Sequence, residues 1–434
     1  MASAVKPVRT GALMPIQALP QLSADEFAIM RRRAMFECLK WDPQVGDEST
    51  LADFALKLHA EAWTEIARLS EQLAAETVEM EAELLRKPAL HARLGLPKAV
   101  RRLLQNGAQI STQHTRVIRF DFHFTTRGWQ ISEANADVPG GYNESSGFTR
   151  LMFEYYSGMC LAGDPALALA QKVRSRSGAG AHVALVHATA FTDDRQVMLF
   201  LADALRLQGL QAHLVSPAHL RWIGDEVLAT AVGESEPVRI DHIIRFFPAE
   251  WLPNLHRDAD WQRFYLDPAV PCANPASALL TQSKRLPLVW NDLNASHSTW
   301  QQLLPETREP NLQRNANMME WVLKPALGRV GEDVAMQGVT AEREWQNIVR
   351  SVRRNPGEWA MQRRFDVAPV SSPIGPIYPC LGVYTVDGRA AGIYGRISKT
   401  PLINAVAKDV AVLIPTGDPA EQPKEHKPFH AECR

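Results

Sequence analysis

Two carboxylates, an arginine and an amide share one side of a short segment, IRFDFHFTTRGWQISEANADVPGG, residues 118–141. Ile118, Phe120, Phe122 and Phe124 alternate with Arg119, Asp121 and His123, the period of a strand with one apolar and one polar face. A three-residue turn, Thr126-Arg127-Gly128, would place glycine at the left-handed position of a hairpin. That register sets His123 opposite Ile131, Asp121 opposite Glu133 and Arg119 opposite Asn135. Directly opposed carboxylates repel, so the pair needs a cation or a shared proton. Asp121, Glu133 and the Asn135 amide make an all-oxygen donor set, which suits Mg²⁺ better than zinc. A solvated hairpin whose acids pair with Arg119 or Arg127 carries the same residues. The hairpin alone leaves both readings open.

A second cluster lies far along the chain in WVLKPALGRVGEDVAM, residues 321–336. Lys324 ends a strand pattern and is followed by Gly328, Arg329 and Gly331. Glycines let backbone N–H groups approach phosphate oxygens, and the lysine adds a point charge. Lys-Pro with two glycines is also an ordinary turn, but beside an Mg²⁺-type oxygen cluster it points to an ATP site. His123 shares the acidic face and reads as a packed histidine more readily than as a second-layer metal partner. Trp129 reads as cover for the hairpin edge, and His187, at a strand end, faces a βα turn.

The elements that must position these residues are those of a mixed α/β chain. Residues 21–44 read as a helix opened by Ser23. A long helix is expected after it, with Leu51, Phe54, Ala55, Leu58, Ile66, Leu69 and Leu73 at helical spacing. From residue 181 the pattern becomes strand, helix, strand (HVALVHATA, DDRQVMLFLADALRLQG, LQAHLVSP), a βαβ unit of a parallel sheet. It carries no G-x-G-x-x-G, so no dinucleotide site is expected there. Further strands are HIIRFFP, EWVLKPA, EWAMQRRFDV, PCLGVYTVDGRAAGIYGRIS, turned at Asp387-Gly388, and AVLIP.

The chain has 434 residues, a formal net charge of −1 and five scattered cysteines without zinc-type spacing. No basic face favours nucleic acid, and no apolar run is of membrane-spanning length. A cytoplasmic protein is expected, since the first residues lack a secretory pattern.

On these motifs the sequence resembles the glutathionylspermidine synthase family over about residues 115–415. RFDFHFTTRGWQISEANAD is similar to the family's R-x-D strand followed by E-x-N-A-D. FFPAEWL resembles its Y-P-x-E-W/L segment, and KPALGRVGEDV its K-P-x-x-G-R-E-G pattern, with Val330 at the usual glutamate. LLTQSKRLPLVW, MQRRFDVAP and LGVYTVDGRAAGIYGRIS resemble a nucleotide-lysine stretch, an adenine-hinge strand and a terminal hairpin. The resemblance implies an ATP-grasp fold with a Rossmann-like pre-ATP-grasp domain and a helical N-terminal region. It implies domains at 1–112, 113–180, 181–270 and 271–417, with a flexible tail at 418–434.

It further implies a C–N ligase that uses ATP and Mg²⁺ to join a small-molecule or peptide carboxylate to an amine, a polyamine among the candidates, through an acyl phosphate. Asp121, Glu133 and Asn135 would bind Mg²⁺. Lys284 and Lys324 would reach the nucleotide, with residues 328–331, including Gly328, Arg329 and Gly331, as a flap and Gln362 on the hinge strand. Arg119 and Arg396 would meet the transferring phosphoryl group. No amidase domain is expected, the residues before the hairpin being too few. The substrate positions depart from the family. Val138-Pro139-Gly140-Gly141 replaces small hydroxyl residues, and the βα turn offers only Asp193 and Asp194 where relatives are rich in acids. Ser145, Ser146, Asp193 and Asp194 read as helix caps. An acid and amine other than glutathione and spermidine are therefore favoured, with peptide tailoring or an idle ATP-binding scaffold as alternatives.

Overall fold

A computed structural model of the protein describes residues 14–41, 44–45, 48–105, 114–231, 234–266, 270–312, 317–328 and 333–416. Leu51–Leu58, expected above to open the long helix, is a strand, and the helix runs over Ala60–Arg86. Both faces of this strand are covered: Ala52, Phe54, Leu56 and Leu58 enter one core, and Leu51 and Ala55 another. A strand buried on both faces reads as a near-continuous apolar run, so its period of two is hidden. The N-terminal region is accordingly not purely helical. Its first helix, Ala24–Glu37, is shorter than expected and starts at Ser23 in a capping box with Glu26.

Leu51–Leu58 lies within a nine-stranded sheet ordered Ile16–Ala18, Leu51–Leu58, Lys408–Pro415, Arg389–Ser398, Gly375–Val386, Val117–Thr125, Gly128–Asn135. Val370–Ser372 and Met159–Leu161 pair to its side. It is antiparallel except where Leu51–Leu58 runs parallel to Lys408–Pro415. The chemistry-bearing hairpin thus forms one end of a sheet held at the other by N-terminal strands.

Of the four smaller sheets among the described residues, two four-stranded ones bear on the site. Four parallel strands, ordered Cys272–Ala273, His242–Arg245, His182–Val186, Gln211–Val215, form the βαβ layer with helix Thr192–Leu207. An antiparallel sheet orders Thr307–Arg308, Trp359–Arg363, Trp321–Pro325 and Ala335–Met336, with helix Glu342–Arg354 packed on it through Trp345 and Ile348. The expected tail at 418–434 lies outside the described residues.

Helix Ala60–Arg86 covers the large sheet with Ile66, Leu69 and Leu73, while its acids tie down distant loops. Glu76 accepts from the Thr299 and Trp300 amides at 3.0 and 3.2 Å, capping the helix Ser298–Leu303. Glu83 accepts from Asn294 and Ala295 at 2.9 and 2.7 Å. Burial alone would raise the Glu83 carboxyl, but Lys87 and these amides outweigh it and hold it at about 2. A carboxyl held below its unfolded value stabilises the fold above that value and loses its contribution as pH falls toward 2. Glu83→Gln should lower Tm at pH 7 and have little effect near pH 2, as thermal melts across that range would show.

Candidate active site

The hairpin turns in two residues, Thr126 and Arg127, because Thr125 pairs with Gly128, whose φ is +96°. His123 therefore faces Gln130, not Ile131 as expected. Continued unchanged, this register would set Asp121 opposite Ser132. Ser132 instead forms a bulge, and beyond it Asp121 faces Glu133 and Arg119 faces Asn135, as expected. Two departures cancel, so the acids stay opposed.

Each acid already has a cation from the chain. Arg119 grips Asp121 with Nε and Nη2 at 2.8 and 3.1 Å, and Asn135 Nδ2 donates to Asp121 at 3.1 Å. Glu133 lies 3.3 Å from Lys284 Nζ. Against burial, which would raise it, Lys284, Lys324 and Arg119 lower the Glu133 carboxyl to about 2. The mutual repulsion of the acids, taken alone, therefore needs no metal to relieve it.

The distant residues converge on this hairpin. Lys324, at the end of Trp321–Pro325, donates to Gln362 Oε1 at 2.7 Å and to the carbonyl of the bulge residue Ser132 at 3.0 Å. The bulge thus joins the two antiparallel sheets. Burial lowers the Lys324 ammonium to about 8, although Glu133 opposes the drop. Lys284 bonds Gly328 O at 2.7 Å, so this glycine closes over the same ammonium. A Cβ on Gly328 would lie 2.2 Å from Pro325 Cγ. Arg329 and Gly331, the remainder of the expected flap, lie outside the described residues. Arg396 is partly buried, donates to Asn404 O at 2.8 Å and leaves Nε without a hydrogen-bond partner. Its cross-strand partner Cys380 lies within electrostatic reach of Arg119, Asp121 and Glu133, so Arg396 belongs to the same neighbourhood.

Several site-building residues gave no local signal in the sequence. Gly382 stands opposite Asp121, and a Cβ there would lie 2.7 Å from Arg119 Cδ and 3.0 Å from Asp121 Oδ1. Glycine is what lets the arginine fold back along the strand onto the acid. Tyr394 lies beneath the Arg119 guanidinium, 5.0 Å from ring centroid to Cζ. Gly140 O accepts from Arg119 Nη1 at 2.8 Å and from the Tyr384 hydroxyl. Asp137, the last residue of N-A-D, pairs with the fully buried Arg245 at the end of a parallel strand. That pair anchors the hairpin to the βαβ layer.

Other sequence candidates take quieter places. His123 contacts Ser132 Oγ at 3.1 Å, and burial, aided by Lys324, lowers its imidazole to about 3, so it is a neutral packed ring. Trp129 is buried against Phe122 and Phe124. His187 is buried with Nδ1 at 3.0 Å from Leu185 O. Ser145 and Ser146 do not cap the next helix: they sit inside the π-helical turn Asn143–Phe148, and Ser146 Oγ accepts from Ala166 N at 3.2 Å. Asp193 and Asp194 lie in the first turn of Thr192–Leu207, whose N-cap position is Phe191 and has no side-chain cap.

The donor set fits a hard divalent cation that brings part of its own shell. Among the described residues no group of three or more His, Cys, Asp or Glu side chains is placed to hold a metal. Asp121, Glu133 and the Asn135 amide offer oxygen donors, the type Mg²⁺ takes where phosphates and waters supply the other positions. Each carboxylate keeps lone pairs beyond those its cationic partner uses.

Comparison with known proteins agrees with this architecture. Residues 30–415 match the model of the glutathionylspermidine synthase pre-ATP-grasp family. No curated protein sequence matches. A glutathione synthetase-like effector from Globodera pallida, solved in its apo form, superposes with a TM-score of 0.60 at 10% identity, covering 90% of this chain and 98% of its own. At that identity the likeness speaks for the fold. A putative γ-glutamylcysteine synthetase from Methylobacillus flagellatus KT matches at a TM-score of 0.37 and 12% identity, covering 78% of this chain and 88% of its own. The fold is the mixed α/β architecture of ATP-grasp-like synthetases. With the family model spanning nearly the whole chain, this protein belongs to the glutathionylspermidine synthase pre-ATP-grasp family.

Proposed function

We propose that the protein is an ATP-dependent ligase that joins a carboxylate to an amine, with Asp121, Glu133 and Asn135 as the Mg²⁺ ligands. The observation that carries this reading is the convergence of Lys284 and Lys324, from separate segments, on Glu133 of the hairpin. Two buried ammoniums beside a carboxylate oxygen set match the charge pattern of a metal–triphosphate group.

Mg·ATP supplies the phosphoryl group that activates the acid. The chain's own residues supply alignment and charge neutralisation, which is most of what phosphoryl transfer needs. Lys284 and Lys324 hold phosphate oxygens, Lys324 being oriented by Gln362 and by the Ser132 carbonyl. Arg119, fixed by Asp121 and Gly140, and Arg396, whose Nε has no hydrogen-bond partner, stabilise charge on the transferring group and on the activated acid. No side-chain nucleophile is required, because the substrate carboxylate attacks. Cys380, whose thiol burial raises far above its usual range, is unsuited to that role.

The substrate pair is small-molecule acid and amine, and the Val138–Gly141 departure favours a pair other than glutathione and spermidine. No described helix is long and apolar enough to cross a membrane. ADP release measured with Mg·ATP across mixtures of peptide acids, amino acids, polyamines and simple amines tests the reading. Turnover that requires both an acid and an amine is expected, and nucleotide binding without turnover for any pair would leave an idle scaffold.

A further inference from the structure

Behind the site lies a buried charge cluster that the chemistry above does not use. Lys40, just after the first helix, is buried and holds Glu144 Oε1 at 2.6 Å and Asp409 Oδ2 at 3.3 Å. Glu144 sits in the turn following Gly140-Gly141, and Asp409 is the second residue of the strand Lys408–Pro415. Leu39, with φ +55°, turns the chain so that Lys40 N bonds back to Ala34 O at 3.0 Å. The backbone is thus bent to deliver this ammonium inward.

The other oxygen of Asp409 faces the site. Asp409 Oδ1 accepts the Tyr394 hydroxyl at 2.8 Å and lies 4.0 Å from Arg396 Nε. Asp409 is also the cross-strand partner of Arg396. Tyr394 in turn carries its ring under Arg119. A buried ion cluster is a poor source of net stability compared with apolar packing, so its distinctive contribution is orientation. Here both site arginines are referenced to one carboxylate, and that carboxylate is held by one lysine.

We propose that Lys40 is a positioning residue: through Asp409 and the Tyr394 hydroxyl it fixes the ring under Arg119, and so the guanidinium that meets the terminal phosphate. Without Lys40, Asp409 loses the cation that fixes its second oxygen. An Asp409 side chain free to turn has less hold on the Tyr394 hydroxyl and on Arg396. This rests on the assignment of Arg119 to the terminal phosphate, and its test is a binding measurement that needs no substrate pair.

Dissociation constants for Mg·ADP and for the non-hydrolysable triphosphate Mg·AMP-PNP are measured by calorimetry on the full chain. The set comprises wild type, Lys40→Met, Lys40→Arg, Tyr394→Phe, Arg119→Met and the Lys40→Met/Tyr394→Phe double variant, with circular dichroism and Tm to establish folding. The ratio of the two constants isolates the terminal-phosphate contact. In Lys40→Met the ratio should fall roughly tenfold, toward the Arg119→Met value, the size expected for a displaced cation–π and charge contact. Mg·ADP affinity should stay within about twofold of wild type, since its lysines are untouched. Lys40→Arg should recover most of the ratio, and the double variant should be no worse than the worse single, because both act on one chain of contacts.

A folded Lys40→Met with the wild-type ratio overturns the proposal, as does a loss of Mg·ADP affinity equal to the loss of AMP-PNP affinity. Should Lys40→Met fail to fold, Tyr394→Phe decides: a wild-type ratio there is equally fatal. Failure of the underlying reading looks different. In that case wild type binds neither nucleotide, or Arg119→Met leaves the ratio unchanged, and the Lys40 assignment falls with it.

Discussion

Glu133→Ala should lower Mg²⁺-dependent ADP formation by at least about two to three orders of magnitude while the protein stays folded. The carboxylate is the point where the two sheets' charges meet: Lys284 lies 3.3 Å away, and Lys324 and Arg119 act on it electrostatically. Removal takes away a proposed metal oxygen and leaves the two lysines to repel each other. Single preorganised electrostatic contacts in such sites are worth about 10²–10³ in rate, and loss of a metal ligand adds to that. The fold survives because the Glu133 side chain keeps 21% of its surface exposed, so the truncation opens no sealed cavity. Glu133→Gln separates charge from shape, since it keeps an oxygen acceptor and loses the negative charge. Both variants should be compared by steady-state ADP release and by circular dichroism. Unchanged turnover in Glu133→Ala would remove the hairpin from the mechanism.

The largest stability loss is expected at Asp137 and Arg245. Both side chains are wholly buried. Arg245 also donates to Asn274 O at 3.0 Å and Phe247 O at 2.7 Å, while Asp137 Oδ2 accepts Ala249 N at 3.1 Å. Asp137→Ala leaves a guanidinium inside the protein without its counter-charge, which costs about 3–5 kcal/mol. Domains of ordinary stability hold only about 5–15 kcal/mol in total, so the denaturant midpoint should drop sharply. The double variant Asp137→Ala/Arg245→Met removes both charges and should recover part of that loss. If Asp137→Ala alone were to unfold at the wild-type urea midpoint, the pair would not be the anchor between hairpin and βαβ layer.

How legible was this site? The alternation around Arg119 and Asp121, the turn at Gly128 and the E-x-N-A-D run were enough to oppose Asp121 and Glu133. They reached the right pairing through a turn one residue too long, because Ser132 inserts the residue that the shorter turn omits. A bulge carries no reliable local signature, so the compensation appeared only with the strands paired. The βαβ unit and the Asp387-Gly388 hairpin were plain from apolar runs and turn residues, and both are present. Leu51–Leu58 reads as helix in the sequence because burial on both faces removes the polar alternation that marks a strand.

By itself the sequence determined the opposition of Asp121 and Glu133 on the hairpin, the strand, helix, strand run of the βαβ unit and the family to which the chain belongs. These depend on local spacing and on ordered motifs, which a linear chain displays directly. Only the tertiary structure decided that Arg119 folds back onto Asp121 in space left by Gly382, and that Lys324 crosses between sheets to the Ser132 bulge. It alone brought Lys40, Asp409 and Tyr394 into one line of contacts behind the arginine. Residues more than three hundred positions apart meet there through sheet order and burial, and neither quantity is written in the neighbours of any one residue.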